Sequence, residues 1–104
     1  EKNYFQIEKE LMTNITGSKK VMVVQLAVMT HYDQIVIDRV VKHELQVRSA
    51  MLAVISAVTE EQLMTLTFKD DLAESLKLAA NEVLEQQEDF GGIEKVLFVE
   101  YLVQ

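Results

Sequence analysis

The feature that most constrains this chain is the run from Val21 to Met29, which is apolar except for Gln25. Several of these residues are β-branched, which favours a strand over a helix. A strand with apolar side chains at both alternating positions is typical of the centre of a sheet, where other layers cover both faces. We therefore predict a central strand here, covered on both faces or nearly so.

The preceding segment predicts a neighbouring strand. From Tyr4 to Met12 the side chains alternate loosely between apolar and polar, as in a half-buried strand, although Lys9 breaks the alternation. Between the two strands, Asn14 to Lys20 gathers turn-forming residues around Gly17. The two strands are therefore predicted to form a hairpin.

A long helix is predicted from Asp33 to about Val58. Its core face consists of residues that cluster at helical spacing: Val36, Val40, Val47, Met51, Val54 and Val58. Thr59, with Gln62 three residues later, forms a capping-box pattern that predicts a short helix.

A second apolar stripe, Val41, Leu45 and Leu52 with Arg48 beside them, projects about 120° away from this core face. An apolar stripe that the core does not cover indicates a partner-binding or oligomer-binding surface. The alternative is that the helix breaks near Glu44 to Arg48 and turns the stripe into the core.

The last part of the chain predicts a helix followed by a strand. An apolar stripe opposite a largely acidic face predicts a long amphipathic helix, with the stripe formed by Phe68, Leu72, Leu76, Ala79 and Val83. Gly91-Gly92 is predicted to end that helix, and Ile93 to Val103 reads as a third strand. The fold class is therefore α+β: a small three-stranded antiparallel sheet with helices packed on it, in the order strand, strand, helices, strand.

Composition limits the possible functions. With 104 residues, 49% hydrophobic and 26% charged, the chain suits a single globular domain. Its net charge of −7 argues against nucleic acid as a partner, and the lack of cysteine excludes thiol catalysis and zinc-thiolate sites. His31 and His43 are the only histidines, and no nucleophile, base or ligand set surrounds them in sequence. We predict no catalytic residue, metal or cofactor, and hence no enzyme.

The chain resembles the FliL family of flagellar basal-body-associated proteins over nearly its whole length. The closing run from Gly92 to Gln104 carries the likeness most specifically, although the family usually has threonine where Val99 stands and enters its first strand through proline rather than Lys2-Asn3. Further points of likeness are the opening Tyr4-Phe5 strand, the Asp33-led helix with Ile37 and Arg48, the segment from Ile55 to Leu63 and the amphipathic helix before glycine.

The resemblance implies a function as well as a fold. Residues 1–104 would be a single extracytoplasmic domain in the periplasm, preceded by one helix in the inner membrane, at the flagellar basal body. Its partners would be the ion-driven stator proteins, whose torque under load it supports. A more distant similarity to stomatin and prohibitin domains implies a stomatin-like fold and self-association into a ring. The alternatives are a stomatin-like membrane scaffold with another client, or a small ligand-binding or hydrolytic domain.

Overall fold

A computed structural model describes all residues, 1–104, as one sheet with helices packed against it. The strands are β1 (Asn3–Gln6), β2 (Leu11–Asn14), β3 (Val21–Thr30) and β4 (Lys95–Val103). The helices are α1 (Gln34–Lys42), α2 (Glu44–Ser56), α3 (Glu60–Leu63) and α4 (Phe68–Glu88). No helix is long and apolar enough to cross a membrane.

The sheet is antiparallel and is built around β3. β1 and β2 pair with the two halves of β3 along one edge, and β4 pairs with the other edge. The predicted α+β class and antiparallel sheet are confirmed. The sheet has four strands rather than the predicted three, because the segment predicted as one strand from Tyr4 to Met12 is two.

A bulge loop separates β1 from β2. Gln6 lies opposite Ala27 and Leu11 lies opposite Val24, so residues 7–10 face only two residues of β3. Ile7 still donates its N–H to the carbonyl of Leu26 and is fully buried. The residues after it loop out of the sheet, which explains why Lys9 broke the alternation.

The predicted hairpin is present between β2 and β3. Gly17 lies in the turn with a φ of +74°, a conformation that glycine adopts without steric cost. The N–H of Ile15 donates to the carbonyl of Lys20 at 2.9 Å and closes the turn.

The helix predicted from Asp33 to Val58 is interrupted. α1 ends at Lys42, His43 lies between the helices, and α2 begins at Glu44. Most of the predicted core face is nonetheless buried, with Val54 only half-buried. The break lies next to Glu44, whose charge would fall within the apolar core face if the helix were continuous.

The predictions for α3 and α4 are largely confirmed. Thr59 and Gln62 form the capping box at the start of α3. The buried residues of α4 include Phe68, Leu72 and Leu76, and they continue through Ala80 and Leu84. The residue in the left-handed conformation at the end of α4 is Asp89, with a φ of 65°, rather than Gly91 or Gly92.

A side chain of α4 fixes the chain where it enters β4. The Asn81 amide donates to the carbonyl of Ile93 at 2.8 Å, and its oxygen accepts from the Ile93 N–H at 2.9 Å. A Cβ atom at Gly91 would lie 2.5 Å from the Asn81 oxygen. A residue without a side chain is therefore needed at Gly91 for this contact.

Helices pack against only one face of the sheet, but no residue of β3 is exposed, and Ala27 and Met29 are buried on the other face. The prediction that β3 is covered on both faces, or nearly so, is therefore confirmed in part. The core contains Met22, Val24, Leu26 and Val28 from the helix side of β3. On the opposite face Val23 is only half-buried. β4 carries one extra residue, Val99, opposite the step from Gln25 to Leu26. From this bulge onward, the β4 side chains that face the helices are those at odd rather than even positions.

Candidate interaction surface on the second helix

The predicted stripe remains at the surface. Val41 is 49% exposed, Leu45 84% and Leu52 39%, while the opposite face of α2 buries Val47 and Met51 completely. The alternative, in which a helix break turns these side chains into the core, is wrong although the break itself exists. The rotation at His43 leaves all three apolar side chains in contact with water.

Arg48 has a structural contact within the chain. Its guanidinium donates to the carbonyl of Lys9 at 2.6 Å and to that of Glu10 at 3.3 Å. These carbonyls belong to the bulge loop and have no partner in β3. Arg48 therefore stabilises the interruption between β1 and β2, whatever else it contacts.

Arg48 belongs to a ridge of α2 formed by residues four apart, namely Glu44, Arg48, Leu52 and Ser56. Two other residues of this ridge also contact the β1–β2 side of the sheet. Glu44, one turn before Arg48, accepts the N–H of Glu8 at 3.4 Å. Ser56, two turns after Arg48, accepts a hydrogen bond from the Thr13 hydroxyl at 3.2 Å. Leu52 lies between Arg48 and Ser56 on this ridge, so it flanks the free edge formed by β1 and β2.

Glu88 ties the region of the helix break to α4. His43 Nε2 lies 2.7 Å from its carboxylate, and the side-chain nitrogens of Lys42 and Arg39 lie at 3.4 and 3.6 Å. The hydrogen bond with His43 is the main reason that the pKa of Glu88 is lowered, and the two cations lower it further. Glu88, from the largely acidic face of α4, therefore fixes α1 against α4.

We expect Glu88→Gln to destabilise the fold most at neutral pH. A carboxyl with a lowered pKa in the folded state stabilises the fold above its unfolded pKa, about 4.5, and loses that contribution as the pH falls through its folded value. Urea unfolding at a series of acidic pH values should therefore show a difference from wild type that shrinks as the pH falls below about 5. Glu85→Gln, at an exposed position on α4, is the matched control and should show no such pH dependence.

The histidine and acidic side chains are not gathered into a metal-ligand cluster. No group of three or more His, Asp or Glu side chains is placed to hold a metal ion. His31 contacts Glu94, as His43 contacts Glu88, so each histidine has a carboxylate partner in the fold. A pocket lies between α2 and α4 and is lined by Val54, Phe68 and Leu72 with uncharged polar groups and Asp71.

Sequence reasoning missed a second set of exposed apolar residues. Met64 and Leu66 in the loop between α3 and α4 are almost entirely exposed, and Met12 and Leu102 are exposed on the open face of the sheet. The available signal was the apolar character of both alternating positions in β4. A strand that is covered on one face only needs apolar residues at alternate positions, so the additional apolar residues indicate an exposed apolar face.

A family model described as "Flagellar basal body-associated protein FliL" matches residues 4–104. The match includes every strand and helix except the first residue of β1. A search of curated proteins gave no match.

Proposed function

Since this chain belongs to the FliL family of flagellar basal body-associated proteins, we propose that it is a non-enzymatic accessory protein of the flagellar motor. In this proposal it binds the ion-driven stator complex and supports torque when the load is high. The observation that carries the proposal, beside the family, is the exposed stripe Val41, Leu45 and Leu52, which offers a contact for the assembled form that binds the stator. Apolar side chains exposed in a row are typical of a protein–protein contact.

The proposed action needs no covalent step. A protein that binds the conducting conformation of the stator more tightly than the closed one shifts the equilibrium toward conduction. A tenfold difference in affinity corresponds to about 1.4 kcal/mol for each bound copy. Several copies around one stator would add their contributions, so weak individual contacts suffice.

Self-association into a ring is the second part of the proposal. The distant likeness to stomatin domains supports a ring, and a membrane helix preceding residue 1 would place the domain in the periplasm with all copies in one orientation. Such a tether raises the effective concentration of neighbouring copies. The isolated domain is therefore expected to be monomeric in dilute solution, whereas the tethered protein assembles.

The experiment that tests the proposal counts fluorescently labelled stator units in single motors at low and high load. Cells that lack the protein should hold near-normal numbers of stator units at low load and fewer than wild type at high load, and the gene supplied in trans should restore the number. Equal stator numbers at high load with and without the protein would contradict stator support. The alternative of a scaffold with another client would then be preferred.

A further inference from the structure

The sheet has two free edges on opposite sides of the molecule. β4 pairs only with β3, so its outer edge is unpaired from Lys95 to Val103. β1 and β2 also pair only with β3, so the opposite edge is unpaired along both strands, up to the parallel bridge that Thr16, just after β2, forms with Thr59. Since β3 is antiparallel to all three strands, β4 runs parallel to β1 and β2. Unpaired N–H and C=O groups along an edge are a template for a further strand.

Both edges are interrupted at the same level of the sheet. The extra residue of β4, Val99, lies at the step between Gln25 and Leu26 of β3. The bulge loop, residues 7–10, lies opposite the same two residues on the other side. Interruptions of this kind protect an edge from pairing with arbitrary strands. If a second copy is placed beside the first so that the sheet continues, the bulge loop of one copy lies next to Val99 of the other.

The row of residues that crosses the sheet through Val23 has an exposed apolar side chain at both of its ends. Met12 and Leu102 both lie opposite Val23 of β3, on the open face, and are 64% and 49% exposed. In a sheet continued by a second copy, Leu102 of one copy lies beside Met12 of the next. Both side chains then lose contact with water, and such cross-strand apolar pairs stabilise sheets.

Exposed apolar side chains from the helix layer also lie near each of the two free edges. Above the β1–β2 edge lies the ridge of α2 that carries Leu52, with Leu45 beside it. Near the β4 edge lie Met64 and Leu66, which line one groove together with Tyr101 of β4. Each side of the molecule therefore combines a free strand edge with exposed apolar side chains.

We infer that successive copies of this chain join head to tail, with the β4 edge of one copy against the β1–β2 edge of the next, through parallel strands. This inference rests on the proposed self-association and names its surface. The contact uses two different surfaces of each copy, and such contacts close into rings when the rotation allows. A two-fold contact between two β4 edges would make them antiparallel and would place the N-termini of the two copies at opposite ends of the joined sheet. That arrangement conflicts with copies tethered to one membrane.

Cysteine cross-linking tests this contact cleanly, because the chain has no cysteine of its own. Neighbouring strands lie about 4.7–4.9 Å apart, so residues side by side on them have Cα atoms within the range that a disulfide bridges. The intact protein carrying Met12→Cys with Leu102→Cys, oxidised in cells, should lose its monomer band and give a ladder of dimers, trimers and larger species. Met12→Cys and Leu102→Cys expressed together on separate copies should stop at dimers.

Two control variants set the background. Leu102→Cys with Gln86→Cys, which places the second thiol at an exposed position of α4, should leave the monomer band intact. Leu102→Cys alone should do the same. A strong dimer band from Leu102→Cys alone would overturn the inference in favour of paired β4 edges.

The remaining outcome separates this inference from the proposed function. A protein that migrates as an assembly on native gels and supports stator recruitment at high load, but whose Met12→Cys/Leu102→Cys variant gives no ladder, would overturn the edge contact and leave the stator function standing. Loss of both the assembly and the stator effect in unmodified protein would instead overturn the proposed function.

Discussion

Replacement of Leu76 by alanine is expected to lower the free energy of unfolding by about 2 to 5 kcal/mol. Leu76 lies in the middle of the buried stripe of α4 and is fully inaccessible to solvent. The loss of its side chain removes favourable burial and leaves a cavity between the helix layer and the sheet. Because a domain of this size is stabilised by only about 5 to 15 kcal/mol in total, the effect should be large.

Leu78→Ala on the same helix is the matched control for Leu76→Ala. Leu78 is 59% exposed, so the identical substitution there removes little buried surface while changing the intrinsic helix propensity equally. Urea unfolding should give a much lower midpoint for Leu76→Ala than for Leu78→Ala, with similar slopes. Equal midpoints would mean that α4 does not pack on the sheet through this stripe.

Leu52→Glu is expected to impair motor function while the domain remains folded. Leu52 is partly exposed on the α2 ridge beside the free β1–β2 edge, and a surface substitution of this kind normally changes stability by about 0.5 kcal/mol or less. In an assembled ring the same glutamate would be desolvated without a partner in every subunit contact, which is costly. Cells with this variant should swim nearly normally in thin medium but recruit fewer stator units at high load.

Two further variants of α2 make this test specific. Leu45→Glu, in the same stripe, should reproduce the effect of Leu52→Glu. Gln46→Glu adds the same charge at an exposed position outside the stripe and should behave as wild type. Wild-type stator numbers at high load in cells with folded, correctly inserted Leu52→Glu protein would exclude the stripe as a functional contact. Failure of the variant to fold would show that Leu52 supports the core.

The sequence alone determined the elements whose signal is local. The apolar run from Val21 to Met29 is the central strand, Gly17 lies in the hairpin turn, Thr59 and Gln62 form their capping box, and Leu76 lies on the buried stripe of α4. These features depend on side-chain periodicity or on residues a few positions apart. The closing run that resembles the FliL family is also a local signal, and the family match confirms it.

Only the tertiary structure decided the features that depend on distant partners. The bulge loop between β1 and β2 is held by Arg48, about forty residues further along the chain, which donates to the carbonyls of Lys9 and Glu10. The extra residue Val99 in β4 is defined only by its register with β3, and it changes which side chains face the core. The open face of the sheet follows from helices that all pack on one side. A one-dimensional pattern of polarity reports that a side chain is apolar, but the layer that covers it is set by contacts between elements far apart in sequence.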